Sequence, residues 1–140
     1  VNRALTLTPA ADSVRVGRRF VAQTLAAWEL DALSYTAELL ASEVLTNSVL
    51  HARTAIELTV ERAGPRAVTI SVRDRSRHLP RRRRHAQDAT TGRGLELLDR
   101  LSLSWQVAPD ENGKTVTFTV GGDIDPWAEF ADTDWMDAEL

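Results

Sequence analysis

Two stretches of alternating residues, separated by a glycine–proline pair, limit the possible folds of this chain more than any other feature. Ala55 to Glu61 reads A-I-E-L-T-V-E, and Ala67 to Asp74 reads A-V-T-I-S-V-R-D, with Gly64-Pro65 between them. A period of two belongs to a strand with one buried face, and the turn residues make the pair a hairpin. Leu103 to Val107 and Lys114 to Val120 repeat the pattern around Glu111-Asn112-Gly113, a second hairpin. Each hairpin has an apolar face that another layer must cover.

The covering layer is legible in the helical patterns. Arg3 to Thr8 alternates as a short strand would and stops at Pro9. Asp12 or Ser13 is expected to cap a helix through about Glu29, with Val14, Val16, Phe20, Val21, Leu25 and Trp28 as its apolar side. Asp31 is expected to cap a second helix ending near His51 or Ala52. Arg75 to Thr91 lacks periodicity and reads as a loop. Gly92 to about Leu101 reads as a short helix with Leu95, Leu97, Leu98 and Leu101 on one face. The order β-α-α-β-β-α-β-β implies an α+β fold: a mostly antiparallel sheet with helices on one face.

A length of 140 residues favours one domain, and 43% hydrophobic residues suffice for a core. The net charge of −3 argues against a dedicated nucleic-acid binder. The absence of cysteine excludes disulfides and thiolate metal sites. A reducing cytoplasm is the expected setting. No apolar run approaches the roughly 18 residues of a membrane span, and Val1-Asn2-Arg3-Ala4-Leu5 lacks the apolar core of a signal peptide. Charge is uneven. Arg73 to Arg93 holds eight arginines against Asp74 and Asp88, whereas Asp123 to Leu140 holds seven acids and no base.

Glu43, Asn47 and His51 stand four residues apart on the second helix and so form one column. At about 100° per residue, Leu39 and Leu50 flank Glu43. A carboxylate beside apolar surface is costly unless paired, and such surroundings suit a general base. Asn47 offers a neutral oxygen to a hard cation such as Mg²⁺. Alone, the column reads first as a semi-exposed helix rim, with His51 packing or capping at the helix end. Asp74 ends a strand, where a carboxylate can accept a hydrogen bond from an adenine amine or simply form a turn. Gly92-Arg93-Gly94 could present bare N–H groups to a phosphate at a helix start, although short glycine motifs are common.

In order and spacing, these pieces resemble the GHKL (Bergerat) ATP-binding fold, a two-layer α/β sandwich. Glu43-Val44-Leu45-Thr46-Asn47-Ser48-Val49-Leu50-His51-Ala52 is most similar to the N box of anti-sigma-factor serine/threonine kinases and actinobacterial ATP-binding regulatory proteins. The resemblance spans Leu5 to Val120, with 1–122 as the ATP-binding domain and 123–140 as an acidic, aromatic-containing tail. It implies ATP and Mg²⁺ as ligands. Glu43 would take the proton from a partner's serine hydroxyl, and Asn47 would hold Mg²⁺. Asp74 would read the adenine amine, with Ser76 beside it where such families usually have glycine. Gly92, Arg93, Gly94 and Leu95 would form the phosphate side, and Thr115 would reach the adenine side. The Arg81-Arg82-Arg83-Arg84 run falls at the ATP lid, and is otherwise a solvated basic loop; it lacks the interleaved aromatics of a nucleic-acid site.

The implied activity is that of a kinase that sequesters a sigma factor and phosphorylates an anti-sigma antagonist, working as a homodimer without nucleic acid or membrane. An ATP-binding interaction module without phosphoryl transfer is the alternative. A third possibility, the ATPase core of a larger machine or sensor kinase, finds no transducer segment or dimerisation helix in this sequence. The tail, with Trp127, Phe130, Trp135 and Met136 among its acids, would either pack on the body, fray, or dock on the lid or a partner.

Overall fold

The computed structural model describes residues 1–76 and 89–122, and for residues 89–94 the backbone alone. The lid arginines Arg81–Arg84 and the tail from Asp123 therefore lie outside the described residues. The elements are β1 (Asn2–Leu7), α1 (Asp12–Ala27), a 3-10 turn (Asp31–Leu33), α2 (Ser34–His51), β2 (Ile56–Gly64), β3 (Ala67–Asp74), α3 (Ala89–Leu101), β4 (Ser104–Asp110) and β5 (Gly113–Gly121). Their order is the expected one. The five strands form a single antiparallel sheet, β1-β2-β3-β5-β4, under one layer of helices.

Alternation along the strands decides the two faces of the sheet. Ile56, Leu58 and Val60 of β2, Val68, Ile70 and Val72 of β3, and Val116, Phe118 and Val120 of β5 point to the helices and are buried. They meet Val21 and Leu25 of α1, Leu40, Ala41, Val44 and Leu45 of α2, and Leu95, Leu98 and Leu101 of α3 in one core. The opposite face is polar. There Thr69 hydrogen-bonds Thr119 (2.9 Å) and Ser71 hydrogen-bonds Thr117 (3.2 Å) across neighbouring strands. Such cross-strand pairs support a sheet whose second face meets water.

The helices differ from expectation mainly at their ends. Neither Asp12 nor Ser13 caps α1: Ala11 holds that position without a side-chain hydrogen bond, and Asp12 sits in the first turn, where a negative charge complements the helix dipole. Asp31 opens the 3-10 turn instead of capping α2, which begins at Ser34. Val16 is 40% exposed and leaves the apolar side of α1. The α1 terminus needs no glycine. Glu29 takes a left-handed conformation (φ 58°). Leu30 N–H returns to the Leu25 carbonyl (2.8 Å), and Glu29 N–H to that of Ala26 (3.1 Å), a Schellman closure sealed by the buried Leu30. Among the described residues no helix is long and apolar enough to cross a membrane.

Candidate functional site

The buried stripe of α2 runs Thr36, Ala37, Leu40, Ala41, Val44, Leu45, Ser48, the recurrence of a 3.6-residue period. Glu43 and Asn47 lie beside it, half-buried. Each four-residue step turns about 40°, so the column Glu43-Asn47-His51 drifts toward the core side as it descends. One expected surrounding is absent: Leu50 is 54% exposed, so it does not wall in Glu43. At about 100° per residue the leucine lies farther round the helix from the buried stripe than Glu43 does.

Ser48, next to Asn47, joins the helix to the sheet. Its hydroxyl donates to Asp74 Oδ2 at 2.7 Å. Asp74 ends the inward row of β3 and is only 1% exposed. Directly opposite it in the ladder stands Lys114 of β5, at 4% exposure. The ammonium donates to Asp74 Oδ1 at 3.1 Å and to Oδ2 at 3.0 Å. The backbone N–H of Ser76 donates to Oδ1 at 2.9 Å, bending the chain in the manner of an Asx turn. Arg75 N–H donates to Thr54 Oγ1 at 3.1 Å, which ties the segment after β3 to the connection between α2 and β2. The site is therefore a buried carboxylate anchored by a helix, a neighbouring strand and its own turn.

Gly113 makes this arrangement possible. Its φ is +150°, and a Cβ there would lie 2.0 Å from the Asp74 carbonyl oxygen. Only glycine lets β5 begin so close to the end of β3.

The other expected residues divide. Ser76 is half-buried beside Asp74. Thr115 stands on the opposite face of the sheet, in the outer row with Thr117 and Thr119, where Arg73 Nη1 donates to its hydroxyl at 3.4 Å. The position next to Asp74 belongs to Lys114 instead, because alternation turns consecutive residues of β5 to opposite faces. Leu95 is in the core at 5% exposure. Gly92, Arg93 and Gly94 do not open α3, which begins three residues earlier at Ala89. Only the first four N–H groups of a helix lack internal partners, so Gly92 supplies the last of these, while Gly94 falls within the hydrogen-bonded ladder. Helix α3 packs on α2, bringing the glycine-bearing helix alongside the one that carries Glu43 and Asn47.

Ser48 and Lys114 went unrecognised in the sequence. Ser48 continues the buried stripe of α2 by period. Lys114 extends the inward row of Val116, Phe118 and Val120, and Asp74 extends that of Val68, Ile70 and Val72. Two inward rows ending in opposite charges were the available signal.

On the outer face, Arg73 pairs with Asp110 (Nη1 to Oδ2, 2.5 Å) and approaches Glu57 (3.9 Å). The hydrogen bond from Arg73 and the backbone N–H of Asn112 hold the Asp110 carboxyl below its usual range, and the same pair raises the Arg73 guanidinium further. A recess of about 300 Å³ nearby is lined by Thr6, Ala55, Glu57, Arg73, Asp74 and Arg75. No α2 side chain among the described residues lines it.

No group of three His, Cys, Asp or Glu side chains able to cage a metal occurs among the described residues. Were Mg²⁺ to bind, Asn47 is the residue that would hold it, and Mg²⁺ characteristically needs only one or two protein ligands. No curated protein matches the chain. The antiparallel sheet under one helical layer agrees with a family match over most of the length: residues 7–120 fit the model of the histidine kinase-like ATPase domain, and the chain belongs to that GHKL-type family.

Proposed function

We propose that the chain is an ATP-dependent protein serine/threonine kinase of the anti-sigma-factor kind, which sequesters a sigma factor and phosphorylates a serine of an anti-sigma antagonist. The observation that carries this reading is the Ser48–Asp74 hydrogen bond. It fixes the stretch of α2 holding Glu43 and Asn47 against the strand end expected to meet the base. Glu43 takes the proton of the partner's serine hydroxyl. The freed oxygen attacks the γ-phosphorus, the bond to the bridging oxygen breaks, and ADP leaves. Positioning and charge neutralisation supply most of the rate in such transfers. Asn47 would hold Mg²⁺ through its side-chain oxygen, and the ion, when bound, would supply neutralisation of the phosphate charge. A cytoplasmic homodimer, with residues 1–122 as the working domain and the tail from Asp123 as an appendage, completes the proposal.

A second reading is an ATP-binding module without transfer, since the Ser48–Asp74 link orders the nucleotide corner whether or not Glu43 acts as a base. Two measurements separate the possibilities. Mg-ATP should raise the melting temperature of the wild type, since a ligand that binds only the folded state stabilises it. That increment should shrink in Asp74→Asn, judged as the ligand-induced shift because the variant also disturbs the pair with Lys114. No increment in the wild type at millimolar ATP would overturn nucleotide binding. Label transferred from ATP to a co-purified partner by the wild type, and lost in Glu43→Ala, establishes the kinase; binding without transfer leaves the module.

A further inference from the structure

Resting on the nucleotide reading above, we propose that Lys114 sets base selectivity at this site, holding the acceptors of Asp74 so that an adenine amino group finds none unless Lys114 gives way. An ionised carboxylate offers about four lone-pair directions. At Asp74 each oxygen already has two donors. Oδ2 accepts from Ser48 Oγ and Lys114 Nζ; Oδ1 accepts from Ser76 N–H and Lys114 Nζ. An amine arriving at this carboxylate must displace one of them. Ser76 N–H is held by the turn and Ser48 by the helix, which leaves the ammonium as the group to be moved.

Lys114 cannot retreat easily. At 4% exposure it is enclosed, and the start of its strand is pinned where Gly113 lies against the Asp74 carbonyl. Thr115 is turned to the other face, so its hydroxyl cannot replace the ammonium. An ammonium donates and never accepts. What this pair offers a purine edge is therefore a donor, which a 6-oxo group can accept and a 6-amino group cannot. The carboxylate alone would favour the amine. Discrimination between the two purines is weak in this chain because the lysine is present.

Isothermal titration of the whole chain with Mg-ATP and with Mg-ITP, for wild type, Lys114→Thr and Lys114→Met, tests this. The wild type should bind both nucleotides within about threefold of each other. Both variants should shift the ratio toward ATP by about tenfold or more, the worth of one hydrogen bond to a charged acceptor, while the nucleotide-free protein melts at lower temperature. A lysine with only a structural role would weaken both nucleotides alike and leave their ratio unchanged. An unchanged ratio in the variants, or a wild type that already prefers ATP tenfold or more, overturns the role of Lys114 and leaves nucleotide binding standing. Binding of neither nucleotide by any of the three proteins overturns the nucleotide reading and this one with it. Should the variants fail to fold, the wild-type ratio alone decides.

Discussion

Removing one member of the Asp74–Lys114 pair should be far more damaging than removing both. The side chains are 1% and 5% exposed and their charged atoms 3.0 Å apart. Lys114→Met keeps most of the volume but leaves a carboxylate buried without its cation. Breaking a buried pair in this way costs about 3–5 kcal/mol. Asp74 keeps its hydrogen bonds from Ser48 and Ser76 N–H, which places the expected loss near the lower figure, about 3 kcal/mol. For a domain of this size that is a fall in melting temperature of about 10 °C, a large fraction of a typical total stability of about 5–15 kcal/mol. The double variant Asp74→Leu with Lys114→Met removes both charges, and apolar replacements of such pairs are often neutral. It should lie within about 1–2 kcal/mol of the wild type, the remainder coming from the Ser48 hydroxyl and the Ser76 N–H, which lose this acceptor. Urea unfolding of the wild type, both single variants and the double variant measures the coupling directly. A Lys114→Met loss below about 1 kcal/mol, or a double variant worse than either single one, would refute the reasoning.

Two further outcomes test the surroundings of the site. Gly113→Ala should lower stability by more than about 2 kcal/mol, since its Cβ would overlap the Asp74 carbonyl; an unchanged urea midpoint would contradict the close approach. At Asp110 the folded state favours the ionised form, because the Arg73 hydrogen bond and then Asn112 N–H lower the carboxyl's pKa. The resulting stabilisation is complete above the unfolded value of about 3.9 and disappears as pH falls through the lower folded value. Asp110→Asn should thus melt below the wild type at neutral pH, with the gap closing on acidification below about pH 4; a gap that widens in acid would refute this.

The fold was legible because its signals were periodic. The hairpins, the helices and their order could be read from apolar spacing, since burial of one face is what that spacing encodes. Helix ends were read poorly. Asp12 and Asp31 are good capping types, yet the turns before α1 and α2 supply backbone geometry without a side-chain cap. At the site, the column and Asp74 could be located by type and order. Thr115 stands on the outer face by parity: a residue one step along a strand faces the other way, and the phase of β5 is set by Val116, Phe118 and Val120. Lys114 escaped notice because β3 and β5 are distant in sequence, and their register appears only in three dimensions.

That register gives the ion pair a second consequence, in folding fidelity. Asp74 and Lys114 form the last rung of the β3–β5 ladder. A slip of β5 by one residue would turn Thr115, Thr117 and Thr119 toward the helices and strand Lys114, Val116, Phe118 and Val120 in water. The apolar row already resists such a slip. The charged rung adds a penalty of a different kind, since it would leave Asp74 buried with no cation to meet it. Misaligned sheets are thereby rejected at the buried Asp74 carboxylate itself, so a correctly paired sheet and a correctly paired Asp74 arise in the same step.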